Sequence, residues 1–163
     1  MSRLLGSELP QELVSSLSGN DIVAQRGKVV ILLSVDERGW AHPAMFSYFE
    51  IVAGSRSVIH LAIGSRSASA ANLRTNGRAT LIFTDKGSNY YVKAQASLEK
   101  ESLESVPSEA MFSLGVQQVS EDLEPAAPFL SGPTVLMPEQ GEILTFTTNI
   151  LAELKKAASP AES

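Results

Sequence analysis

Apolar and polar positions follow two different periods along this chain. Leu13, Val14 and Leu17 recur at helical spacing behind Ser7 and Pro10, which predicts a short amphipathic helix near the N-terminus. From residue 28 the pattern becomes an unbroken run, Lys-Val-Val-Ile-Leu-Leu-Ser-Val. A largely apolar, β-branched-rich run of this length predicts a strand buried on both faces. Asp36-Glu37-Arg38-Gly39 has turn chemistry, and residues 40–52 resume as one extended, aromatic-rich segment, so a hairpin is expected. Pro43 supplies no ladder donor and predicts an edge, a bulge or a strand start.

Gly54-Ser55-Arg56 marks the next turn, and residues 57–63 read as a third strand. Residues 64–77, rich in Ser and Ala, predict a helix capped by Ser65 and ending at Asn76-Gly77, where an αL exit comes at little cost. A fourth strand over 78–84 and a fifth over 89–98 flank a turn at 85–88. So many strands at regular spacing, with a single short helix inserted, suit an antiparallel barrel or sandwich better than a doubly wound parallel sheet. After Glu99 the texture changes. Residues 108–119 predict a helix, 125–138 a Pro-rich irregular stretch with a short strand at 134–137, and 141–158 a terminal helix. That last helix carries Ile143, Phe146, Ile150, Leu151 and Leu154 toward the core and ends on Lys155 and Lys156, which suit a helix C-terminus. Residues 159–163 read as a frayed end.

Composition narrows the chemistry. With 163 residues and 44% hydrophobic side chains, a single domain over 1–163 is expected, residues 26–100 forming the core and 101–163 accessory helices and an irregular tail. The formal charge of −5 and the lack of any Lys/Arg cluster argue against a nucleic-acid partner. With no cysteine there is no disulfide framework, no thiolate nucleophile and no cysteine-ligated metal. No apolar run approaches the roughly 18 residues of a membrane helix, and no leader-like h-region precedes the first helix, so a cytoplasmic protein without a membrane partner is expected.

Only His42 and His60 are present, without metal-ligand spacing, and both read as sheet residues, so no metal site is expected. The elbow, dinucleotide and P-loop motifs are absent. Glu99, Glu101 and Glu104 read as a solvated face. No residue can be given a catalytic role from the sequence.

The segment with chemical content is Gly64-Ser65-Arg66-Ser67-Ala68-Ser69. Hydroxyls and an arginine at a helix start form an anion site, because unpaired backbone N–H groups and the helix dipole converge there. Arg66 can pair with a phosphate bidentately, and Ser65, Ser67 or Ser69 can each donate a hydroxyl. An ordinary serine cap beside a solvated arginine accounts for the same residues.

The order of strand, turn, strand Trp40-Ala-His-Pro-Ala-Met-Phe-Ser-Tyr48, strand Val58-Ile-His-Leu-Ala-Ile63, Gly-Ser-Arg-Ser-Ala and two further strands resembles the pyridoxamine 5′-phosphate oxidase-like family. The resemblance covers residues 26–100. It implies a mainly β fold, an antiparallel split β-barrel of about six strands with N-terminal, inserted and C-terminal helices. It implies an FMN-binding, homodimeric oxidoreductase acting on a small-molecule redox substrate. The family's phosphate-gripping Ser-Arg-Lys-Ala is matched by Ser65, Arg66, Ser67 and Ala68, with serine in place of lysine. The basic residue of the family's second strand falls where this chain has Ala44, Met45 and Phe46. Each missing charge-assisted hydrogen bond removes about 1.5–3 kcal/mol. By the same resemblance backbone groups of Pro43, Ala44, Met45, Phe46, Ser47, Leu61 and Ala62 address the flavin ring edge, and Trp40, Tyr90 or Tyr91 of a second copy covers the ring, plain cross-strand packing being the other reading of these aromatics. A genuine pyridoxamine phosphate oxidase is not expected, since cations for a second phosphate are lacking. Two alternatives stand beside this reading: a cofactor-free binding module or dimeric scaffold, for which Ser67 speaks, and a haem or deazaflavin in the same groove, for which only His42 and His60 offer iron ligands.

Overall fold

The apolar run at the chain's centre forms β2 (Val29–Val35), and the 36–39 turn sends the chain back along it as β3 (Ala41–Ser47), paired from Val29 opposite Ser47 to Val35 opposite Ala41. The structure, a computed structural model, describes residues 2–159. The other edge of β2 pairs with β6 (Arg78–Asp85), which turns into β7 (Ser88–Lys100), and β7 into β8 (Glu109–Asp122). The far edge of β8 has two partners. Its first half pairs with β5 (Val58–Gly64) and its last residues with β1 (Ser2–Gly6). A short strand, β4 (Ile51–Ala53), closes the order β3-β2-β6-β7-β8-β5-β4, antiparallel throughout.

The two edge strands are consecutive in the chain. Only Tyr48, Phe49 and Glu50 lie between β3 and β4, and three residues reach about 10 Å. The sheet must therefore curl until its edges are neighbours, which makes it a split β-barrel. Its interior holds Val30, Leu32, Leu61, Leu81, Phe83 and Phe112, closed by Leu13 of α1 (Gln11–Ser16) with the flanking Leu9 and Leu17, and by Ala70 and Leu73 of α3 (Ala68–Asn76). A second core lies outside the curl, where Ile150, Leu151 and Leu154 of α4 (Glu142–Ala158) cover Val52, Ala62 and Met111. A four-residue α2 (Ile22–Gln25) links the N-terminal segment to β2.

The fold class agrees with the expectation, and several elements differ from it. Residues 108–119 are strand, and β8 is central to the sheet rather than part of an accessory tail. Ala110, Phe112 and Leu114 face the inner core while Met111 lies under α4, so burial on both faces hides the two-residue period that marks a strand. Eight strands are formed among the described residues, the additional ones being β1, β4 and β8. The single extended segment expected over 40–52 is two strands broken by the 48–50 corner. Residues 134–137 form no strand; Thr134 makes one isolated bridge to Lys28. The frayed end expected over 159–163 lies, from residue 160, outside the described residues.

Candidate functional site

The junction from β5 into α3 carries the candidate anion site. β5 ends at Gly64, and the Ser65 N–H donates to the Ser108 carbonyl at 2.9 Å, tying the turn to the loop before β8. The helix begins only at Ala68, so Ser65 stands too early to take the capping role expected of it. Ser67 takes the role instead: its backbone is extended (φ −72°, ψ 156°) and its Oγ accepts from the Ala70 N–H at 3.1 Å. The N–H groups of Ala68 and Ser69, in the first turn, have no intrahelical acceptor, and the helix dipole adds partial positive charge there. Arg66 stands exposed beside them, while Ser69 is buried. At the other end Gly77 supplies the αL exit at φ 69°.

Arg74, which the sequence reading did not single out, is a second cation at this junction. Its guanidinium donates to the Ser65 carbonyl at 2.8 Å and pairs with Glu101 at 2.8 Å. Two carboxylates also approach. Glu109 opens β8 opposite Gly64, and its Oε1 lies 3.9 Å from where a Cβ on Gly64 would stand. Burial, then the charge of Glu50, pushes the Glu109 carboxyl above the usual carboxylate range. Glu50 itself is pushed up by burial, against the pull of the Ser47 N–H and hydroxyl, which donate to it at 2.6 and 3.0 Å.

The residues expected to address the flavin ring divide between surfaces. Pro43 and Met45 point outward from the sheet and are exposed. Ala44 and Phe46 turn inward against the core, and Ser47 is buried at the corner that holds Glu50. Leu61 and Ala62 are fully buried between β4 and β8, one in each core, and the Ala62 N–H is engaged by the Glu50 carbonyl at 2.9 Å. A groove of about 360 Å³ runs along α3 past Ala68, Ala71 and Asn72, walled opposite by Asp36, Glu37 and Arg38. Trp40 is exposed at the β2–β3 turn, and the Tyr91 hydroxyl donates to Asp122 at 2.9 Å. Tyr90 is not available to cover a ring, because its side chain is part of the barrel core.

His60 is buried, its Nδ1 against the Glu99 carboxylate at 3.1–3.2 Å and its ring packed on Gly54. Glu99 thus contacts buried His60 and Glu101 pairs with Arg74, so neither is merely solvated. Among the described residues no group of three or more His, Asp or Glu side chains converges as a metal ion requires. No helix among them is long and apolar enough to cross a membrane.

No protein-family profile matches the chain. It is similar over most of its length to an uncharacterised Bacillus subtilis protein, YclD, with 28% identity over 91% of this chain and 96% of that one. Two of the solved structures that share its architecture illustrate the likeness. A candidate pyridoxamine 5′-phosphate oxidase of Lactobacillus delbrueckii superposes with a TM-score of 0.55 at 18% identity, covering 73% of this chain and 98% of that one. A variant of HupZ from group A Streptococcus gives 0.55 at 16% identity, over 70% and 99%. The chain has the split-barrel fold of the pyridoxamine 5′-phosphate oxidase-like fold family.

The donor set at the helix start suits a phosphate monoester: one exposed guanidinium, two first-turn amides and the Ser65 and Ser67 hydroxyls. The Ser67 hydroxyl accepts from Ala70 and still has its own proton to donate.

Proposed function

We propose that this chain binds FMN, with the phosphate at residues 65–69, and works as a homodimeric oxidoreductase on a small-molecule redox substrate. One observation carries the reading: on a split barrel, exposed Arg66 stands beside first-turn amides that have no helical acceptor. Arg66 would hold two phosphate oxygens, the Ala68 and Ser69 amides would face the third, and Arg74 would fix the turn through the Ser65 carbonyl. The groove along α3 offers length for the remainder of the nucleotide. A bound flavin supplies the electron transfer itself, so no acid, base or nucleophile need be found among the side chains.

Self-association fits the outer sheet face. Met45, Ile31 and Ile82 lie in one cross-strand row, with Pro43 and Leu33 beside it. Met45 keeps 64% of its surface exposed. Such a face, carrying a protruding methionine on the outside of the curled sheet, is suited to a two-fold partner of the same kind.

The test is an absorbance spectrum of the purified protein followed by fluorescence titration with FMN and riboflavin. Flavin absorbance with FMN preferred over riboflavin supports the reading. A colourless protein that ignores both overturns it in favour of a cofactor-free dimeric scaffold. That second reading draws on Ser67, where the family has lysine, and on the Glu109 carboxylate facing the junction.

A further inference from the structure

The apolar stripe of α4 is longer than the surface it covers. Ile150, Leu151 and Leu154 are buried in the second core, whereas Ile143 and Phe146, two turns and one turn before Ile150, remain 61% and 39% exposed. Phe146 forms one wall of a groove of about 650 Å³, with Val106 and Pro107 of the β7–β8 loop opposite. The groove is open to solvent on one side, and a few polar groups on an apolar lining are the usual makeup of small-molecule sites.

The polar groups of this groove are available. Among the described residues the Asn149 amide and the Ser105 and Ser108 hydroxyls make no intramolecular hydrogen bond, and all three line it. Its charge is one-sided. No lysine or arginine lines the groove, and Glu142 is its single ionisable side chain. Glu142 sits in the first turn of α4, where its carboxylate answers the helix dipole, so no net positive field is left to draw an anion. Ser108 connects the groove to the rest of the molecule, because its carbonyl accepts the Ser65 N–H of the candidate phosphate site.

We propose that this groove is a binding site for a small ring-bearing molecule without negative charge, a cationic arylalkyl amine being the form Glu142 favours. The ring stacks between Phe146 and Pro107, the amine faces Glu142, and Asn149 and Ser108 take up polar substituents. Where flavin binds with its phosphate at residues 65–69, such a molecule lies on the far side of the Ser65–Ser108 hydrogen bond from that phosphate, so the two sites share one loop contact. Only that last link rests on the flavin reading; the groove's own chemistry stands without it.

The experiment uses the flavin-free full chain, amide NMR and two probes with the same ring: tyramine and 4-hydroxyphenylacetate. Tyramine is expected to move signals of residues 105–108 and 141–149, and 4-hydroxyphenylacetate to bind at least fivefold more weakly. Phe146→Ala should weaken tyramine at least fivefold and Glu142→Gln should erase the preference between the probes. Asn149→Ala serves as a second wall variant on an exposed position. Absence of shifts, shifts elsewhere, tighter binding of the carboxylate, or unchanged affinity in both wall variants overturns the proposal. Arg66→Ala should bind tyramine as the unaltered chain does, so loss of flavin binding and loss of the groove are read separately.

Discussion

The backbone N–H of Ser65 donates to the carbonyl of Ser108 at 2.9 Å, joining the exit of β5 to the approach of β8. This bond decides which residues of the Gly64–Ser69 turn remain able to bind anything. Ser65 loses its amide, Ser67 becomes the cap, and Arg66 is held on the outside between them. Arg66→Ala should therefore lower FMN affinity at least tenfold and leave the melting temperature unchanged. Ser67→Ala should do the reverse in part, costing about 1 kcal/mol of stability through the lost cap. Calorimetric titration and thermal melts of both variants check this; equal FMN affinity for Arg66→Ala and the unaltered chain removes Arg66 from the site.

Glu109 gives the same junction a pH dependence. Burial and the Glu50 charge raise its proton affinity in the folded chain above that of the unfolded one. A raised carboxyl stabilises the fold fully only below the ordinary carboxylate range, and the contribution is lost as pH rises through the raised value. Glu109→Gln should accordingly melt higher than the unaltered chain at pH 7 and match it below about pH 4. The same substitution removes a negative charge beside the phosphate donors, so it should tighten FMN binding at pH 7 and flatten its pH dependence. A variant that melts lower at pH 7 contradicts this account.

The parts of the fold legible in the sequence are those whose burial differs between faces or whose turns have their own chemistry. β2, β5, β6 and β7 followed from apolar runs bounded by Gly and Asp, and α4 from its helical stripe. β8 was not legible, because inner and outer cores bury both its faces and bulges against β7 interrupt its period. β1 is exposed at every position, so no pattern marks it. At the site, Arg66 and the serines are local and could be read. Glu109 and Arg74 could not, since the first arrives by the pairing of β5 with β8 and the second by a side chain reaching back along α3. Ile143 and Phe146 carry the same stripe as Leu154, and sequence alone does not say where the underlying surface ends.

Met45 tests the oligomeric state. It protrudes from the sheet face opposite Ile31, on the side away from both cores. Met45→Glu places a charge on that apolar row without disturbing the interior, so the melting temperature of the isolated subunit should hold while self-association weakens at least tenfold. Light scattering is expected to give twice 17.4 kDa for the unaltered chain and a single mass for the variant. A single mass for both removes the dimer; a doubled mass for both moves the interface off this face.

Gly77 carries the other end of α3. Its φ of 69° is left-handed, and a Cβ there would meet the Gln95 side-chain amide and stand 2.8 Å from the Ala96 carbonyl. Neither neighbour can withdraw freely, because Gln95 Nε2 donates to the Asn76 carbonyl and the Ala96 N–H donates to Gly77 itself. Left-handed backbone alone costs a non-glycine residue about 1–2 kcal/mol, and the clash adds to it. Gly77→Ala should destabilise the chain by more than about 2 kcal/mol. In chemical denaturation the midpoint should fall with the slope unchanged, which marks lost native stability rather than altered compactness. If instead Gly77→Ala unfolds at the same denaturant concentration as the unaltered chain, the close approach of α3's exit to β7 is not what holds the helix across the barrel.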